Sequence, residues 1–191
     1  SAAATLGEAQ FLARLEARLA AGLRLVQLRE KALAPAALQA LAHQAVALCH
    51  AHGALLLVNG DMELARAVGA DGVHLTAAQL ATAATKPDLP WCAASCHDAA
   101  ELRAAERLGL DFAVLGPVLP TASHPGAPHL GWERFADLAR DAAIPVYALG
   151  GMRPAMLPRA RQAGAHGVAM LSASWAGQAA DLPNRLITIS P

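Results

Sequence analysis

Short apolar runs alternate with alanine-rich amphipathic segments along almost the whole chain, and few folds accommodate that order. The runs fall at 23–28, 54–58, 72–75, 91–95, 112–116, 145–149 and 167–171. Between them lie segments of helical period at 7–21, 35–52, 61–68, 77–84, 98–108, 132–141 and 154–163. Strands that are apolar throughout, each separated from the next by a helix, predict a parallel sheet buried on both faces. Three short turns repeat one pattern, Gly69-Ala70-Asp71-Gly72, Gly109-Leu110-Asp111-Phe112 and Gly164-Ala165-His166-Gly167. Each closes a helix and opens a strand, as expected where glycine ends a helix. Even spacing without a linker favours a closed (β/α)8 barrel over an open doubly wound sheet, with one domain over 1–191.

A barrel of this class needs eight strands and the count above is seven. Leu186-Ile187-Thr188-Ile189 has the composition of a buried strand and has no helix after it. The segment 186–190 is therefore expected to supply the first barrel strand, the one that ordinarily precedes the first helix. Its alternative is a loose tail. Pairing with 23–28 is the observation that decides between them.

Composition narrows the function. The 15 basic and 15 acidic residues give a formal charge of zero, which provides no general attraction to nucleic acid or to an anionic membrane. No apolar stretch approaches a membrane span, and the start lacks the pattern of a signal peptide, so the chain is expected to be cytoplasmic. Cys49, Cys92 and Cys96 are expected to be free, mostly buried thiols. The 49 alanines predict close helix packing more than a bulky core.

Three segments carry candidate chemistry. Gln27, Arg29 and Lys31 follow one another at alternate positions, so on a strand they share a face. There an amide, a guanidinium fork and an ammonium suit a diphosphate-like anion. Gly150 and Gly151 leave a strand and approach a helix, and Ser172 follows the next strand; together they fit the phosphate site that barrels build after their last strands. The 16-residue stretch 116–131, stiffened by prolines, is long enough for a binding loop and holds His124 and His129. Asn59, Asp61, His74, Thr76, Ser95 and His97 fall near other strand ends. His74, inside an apolar run, reads as a satisfied core or rim histidine. His43, His50 and His52 lie on an outer helix and need no function. There is no metal motif.

These segments resemble the thiamin phosphate synthase family, including its thiazole tautomerase (TenI-type) branch. The resemblance is carried by Val26-Gln27-Leu28-Arg29-Glu30-Lys31, Asn59-Gly60-Asp61, Gly72-Val73-His74-Leu75, Leu115-Gly116-Pro117-Val118 with Thr121, and Ala148-Leu149-Gly150-Gly151-Met152. It is nearest to barrels fused behind a MutT-type Nudix hydrolase, which makes such a hydrolase domain an expected partner. The resemblance implies an enzyme that joins hydroxymethylpyrimidine diphosphate to thiazole phosphate, with magnesium assisting loss of pyrophosphate. It makes His124, Ser95, Arg29 and Lys31 the candidate catalytic residues. The candidate substrate contacts are Gln27, Arg29, Lys31, Asn59, Ser95, Thr121, Ser123, Gly150, Gly151 and Ser172. The chain departs from the family where magnesium carboxylates are expected, at Gly60 and Gln79, and His124 stands where the synthases carry lysine. Two other readings follow from those departures: a tautomerase using His124 or His97, and a non-catalytic domain that binds a thiamin intermediate.

Overall fold

The computed structural model describes residues 6–121, 126 and 128–171, and the backbone of Leu186–Ile189. Helix α1 (Glu8–Ala20) leads into β1 (Leu25–Leu28), followed by α2 (Pro35–Ala51), β2 (Leu55–Asn59), α3 (Met62–Ala67) and β3 (Gly72–Leu75). Then come α4 (Ala77–Thr82), β4 (Trp91–Cys96), α5 (Ala99–Arg107), β5 (Phe112–Leu115), α6 (Gly131–Arg140) and β6 (Val146–Leu149). A 3₁₀ turn (Pro154–Met156), α7 (Leu157–Gln162), β7 (Gly167–Met170) and β8 (Leu186–Ile189) follow among the described residues.

Strands β1 to β7 form a curled parallel sheet in sequence order. Strand β8 pairs in parallel with β7, Val168 beside Leu186, and with β1, Leu25 beside Ile187 and Gln27 beside Ile189. The described strands thus meet in a closed ring, and the C-terminal run lies against the segment with which its pairing was in question.

Alternation along each strand divides the apolar residues into two layers. The outer layer, which includes Leu56, Val58, Val73, Leu75, Cys92, Cys96, Ala113 and Leu115, packs against helix residues such as Phe11, Leu15, Leu41, Leu102 and Phe135. The inner layer gathers Leu57, Ala93, Phe112, Val114 and Ala169 from four strands, with Leu25, Leu55, Tyr147 and Leu149 against them. Ala42, Ala45, Ala65, Ala105 and Ala160 are fully buried on the helices, where small side chains bring backbone close to sheet. All three cysteines are free and buried. Among the described residues no helix is long and apolar enough to cross a membrane.

The repeated turns do a definite job at the amino edge of the sheet. Gly69 and Gly109 take φ of +66° and +65°, a region open to glycine without a Cβ penalty. Two residues later an aspartate brackets the start of the preceding strand. The Asp71 N–H donates to the Leu56 carbonyl at 3.0 Å while its carboxylate accepts from the Leu56 N–H at 2.7 Å. Asp111 repeats this on Cys92 at 2.8 and 2.7 Å. The outer-helix His50 lies 3.2 Å from the Asp71 carboxylate, and Lys86 pairs with Asp111 at 2.9 Å. At the third turn the His166 N–H donates to the Val146 carbonyl at 2.8 Å.

Two local expectations need correction. The strand at 23–28 ends at Leu28, so Arg29 and Lys31 are not on it and do not share a strand face with Gln27. The ladder gives out there, since β8 pairs only as far as Gln27 and β2 as far as Leu28. The single helix expected over 154–163 is a 3₁₀ turn followed by α7. Pro158 has no N–H to donate to Pro154, which removes the bond that would have made them continuous.

Candidate active site

At the carboxyl edge of the ring the inner face turns polar on one side. Gln27, Asn59 and Ser95 each stand two residues beyond an inner-layer residue, Leu25, Leu57 and Ala93, so they face inward near the mouth. Gln27 is buried, while Asn59 and Ser95 are half-buried. Arg29 follows β1 half-buried and Lys31 exposed, which leaves the ammonium at the rim. Strand ends β1, β2 and β4 therefore gather three of the expected contacts on one inner surface, with two cations following from the loop after β1.

The other side of the mouth is built by a close approach of two loops. The Val118 N–H donates to the Leu149 carbonyl at 2.7 Å and the Leu119 N–H to the Gly150 carbonyl at 3.2 Å. Leu130 and Gly131 donate back to the Pro117 and Val118 carbonyls at 2.9 and 2.8 Å, cinching the base of the long loop. A Cβ on Gly150 would meet Pro117 Cα at 2.6 Å, and one on Gly151, where φ is +68°, would meet the Pro120 carbonyl at 2.9 Å. The glycine pair thus has a packing reason independent of any ligand. Thr121, next after Pro120, is carried beside it. Ser123, His124 and Ser172 lie outside the described residues.

The family resemblance implies magnesium, and the residues at the matching positions do not fit a protein-held ion. Gly60, at φ +73°, offers only a carbonyl, which accepts from Gln79 Nε2 at 2.6 Å. Gln79 Oε1 accepts from the Thr76 N–H and hydroxyl at 3.0 and 3.1 Å, and Thr76 Oγ1 accepts from the Gln79 N–H at 3.3 Å. That is a capping box for α4, extended into a bridge to the β2 strand end. Asp61 Oδ1 accepts from the Leu64 N–H at 2.8 Å as the cap of α3. Among the described residues no cluster of three or more His, Cys, Asp or Glu side chains forms a metal site. Magnesium requires several hard oxygen ligands in an octahedron, and here the two expected carboxylates are replaced by a neutral hydrogen-bonded bridge.

The histidines sort by contact. His97 is tied to the start of α5: its N–H and Nδ1 both meet Glu101 Oε2, at 2.6 and 2.9 Å. His74 is buried and its Nε2 lies 2.9 Å from Ser95 Oγ. Burial pushes its pKa down to about 3, so the ring is neutral at any pH near neutrality. Burial also pushes the Cys49 and Cys96 thiols up to about 12, which removes them as nucleophiles. Two features were not legible as part of a site: the His74–Ser95 contact, which depends on strand register, and the Gln79 bridge, whose signal was the Thr76-x-x-Gln79 capping pattern.

A curled parallel α/β sheet with a half-polar mouth at the carboxyl ends of its strands is the α/β class in which sites are built at that edge. A family model described as thiamine monophosphate synthase matches residues 2–174. A thiamine-phosphate synthase of Thiobacillus denitrificans is 35% identical over 190 residues, covering 95% of this chain and 90% of that protein. The thiamine biosynthesis bifunctional protein ThiM/ThiE of Symbiobacterium thermophilum is 45% identical over 166 residues, which are 83% of this chain and 34% of that larger protein. Among solved structures, thiamine phosphate pyrophosphorylase from Pyrococcus furiosus superposes with a TM-score of 0.75 at 26% identity, covering 88% of this chain and 83% of that one. The chain belongs to the thiamine monophosphate synthase family.

Proposed function

We propose that this chain is a working synthase, joining hydroxymethylpyrimidine diphosphate to thiazole phosphate in a (β/α)8 barrel whose first strand is supplied by β8. The observation that carries the reading is the alignment of Gln27, Asn59 and Ser95 on one inner surface, with Arg29 and Lys31 leading off the same edge. The thiazole nitrogen bonds to the methylene carbon of the pyrimidine as the bond from that carbon to the diphosphate breaks, and pyrophosphate leaves with the electron pair. Charge therefore accumulates on the departing diphosphate. Arg29 offers it a two-pronged contact and Lys31 a point charge, the pairing best suited to a phosphate oxyanion. Asn59 and Ser95 orient the pyrimidine, and Gln27 supports the anion from below. Backbone N–H groups near Gly150 and Gly151 take the thiazole phosphate.

In the same reading Thr121, Ser123, His124 and Ser172 complete the phosphate contacts, with His124 a proton-dependent replacement for a fixed cation. The test is to supply both substrates and assay thiamin phosphate, with magnesium and with a chelator. Product well above the no-enzyme rate is expected in both. No product in either condition overturns the reading.

A further inference from the structure

His74 occupies a place in the inner layer where an apolar side chain would ordinarily serve. It is 2% exposed, and a polar ring at that depth is retained only with a hydrogen-bonded partner. The β3–β4 register sets His74 beside Ala93, so Ser95 stands two residues nearer the mouth and the 2.9 Å contact from His74 Nε2 to Ser95 Oγ runs upward toward it. The imidazole plane is held from the side by Phe112, at 6.4 Å between ring centres. Phe112 meets Tyr147 edge-on at 5.4 Å, and Tyr147 meets His166 at 5.3 Å. A row of rings thus runs from His166 through Tyr147 and Phe112 to His74, which touches Ser95 near the mouth.

We infer that His74 is a positioning residue of the substrate site: through Nε2 it fixes the Ser95 hydroxyl in one rotamer, with the remaining hydrogen-bonding capacity of the oxygen directed at the pyrimidine edge. The inference rests on the functional reading above. A neutral imidazole presents one donor nitrogen and one acceptor, so it locks the direction of the hydroxyl without adding charge beside the diphosphate. A serine free to rotate would be ordered only when substrate arrived, and that loss of freedom would weaken binding.

A double-mutant cycle on the full chain tests this. Calorimetry gives the affinity for hydroxymethylpyrimidine diphosphate and for thiazole phosphate separately, and steady-state rates give kcat and KM for each. His74→Leu keeps the volume and removes the bond; its expected effect is about a tenfold loss of pyrimidine diphosphate affinity with thiazole phosphate affinity unchanged. His74→Gln, whose amide reaches the Nε2 position, restores most of the loss. In the Ser95→Ala background His74→Leu adds nothing further. Equal loss for both ligands, or an undiminished effect of His74→Leu without Ser95, overturns the inference and leaves a structural histidine. If His74→Leu does not fold, the ¹⁵N resonance of His74 Nε2 in the unaltered ring is followed instead. It shifts on Ser95→Ala and again on adding pyrimidine diphosphate, and a resonance indifferent to both overturns the inference. An unaltered protein that binds neither substrate fails the functional reading itself, an outcome distinct from any in the cycle.

Discussion

The two halves of the inner face are built by the same alternation and have opposite character. From β1 to β4 the positions nearest the mouth are Gln27, Asn59, His74 and Ser95, whereas the inner positions of β5 and β6 include Phe112, Val114, Tyr147 and Leu149. The polar half is held by side-chain bonds, His74 on β3 to Ser95 on β4 and Gln79 on α4 to the Gly60 carbonyl just beyond β2. The apolar half is held by backbone, with the 117–120 segment hydrogen-bonded along the end of β6. One half therefore lines the mouth with polar side chains, and the other shapes the opening through main chain that only glycine can accommodate at Gly150 and Gly151. Substitutions in the two halves are expected to fail differently.

The largest effect is expected in the backbone-built half. Gly151→Val places a β-branched residue at φ +68° with its Cβ near 2.9 Å from both Leu119 Cβ and the Pro120 carbonyl. Strain of this kind destabilises by about 3 kcal/mol, or roughly 6–12 °C in Tm for a chain of this size, read by thermal unfolding. A variant that unfolds at the parent temperature would break the contrast between the halves.

In the polar half the sharpest handle is pH. The pKa of His74 falls from 6.5 to about 3 on folding, so between those values the unfolded chain binds a proton that the folded chain does not. Stability from this group is complete above pH 6.5 and declines as pH falls through the window, by about 1.4 kcal/mol per unit. Denaturant unfolding from pH 6.5 to 4.5 should show that slope in the parent and lose it in His74→Gln, a difference of about 2.7 kcal/mol at pH 4.5. Equal slopes would mean that the ring is protonated in the folded state.

A smaller effect is expected at the Gln79 bridge. Gln79→Asp shortens the arm that reaches the Gly60 carbonyl and weakens the α4 cap, for about 1 kcal/mol. The informative comparison is metal. Pyrophosphate affinity of the parent, measured by calorimetry, should change by less than about threefold between chelator and magnesium, because Gly60 and Gln79 offer the ion no carboxylate. Gly60→Asp with Gln79→Asp should make it magnesium-dependent. Strong magnesium dependence in the parent would show that a ligand set elsewhere holds the ion.

Much of this was legible in the sequence, and for identifiable reasons. Strands buried on both faces are written as unbroken apolar runs, and the glycines at 69 and 109 mark where helices must stop. The β-branched run at 186–189 was readable as a strand because it had the composition of one, although its neighbours could be known only from pairing. What the sequence concealed depends on register. Alternation from Gln27 through Lys31 looks continuous, but a strand lasts only while it has partners, and those end at Leu28. His74 and Ser95 are 21 residues apart, and nothing local says that β3 and β4 align so that the two touch. At Gln79 the family pattern marks only a missing carboxylate, whereas the capping pattern with Thr76 is what gives the side chain its partner.

The division of labour between the halves is most directly tested by titrating each substrate alone into the parent and into Arg29→Ala. The account predicts that Arg29→Ala weakens hydroxymethylpyrimidine diphosphate by about a hundredfold, the loss of a two-pronged charged contact, and leaves thiazole phosphate within about threefold. Unchanged affinity for the pyrimidine diphosphate, or an equal loss for both ligands, would contradict it.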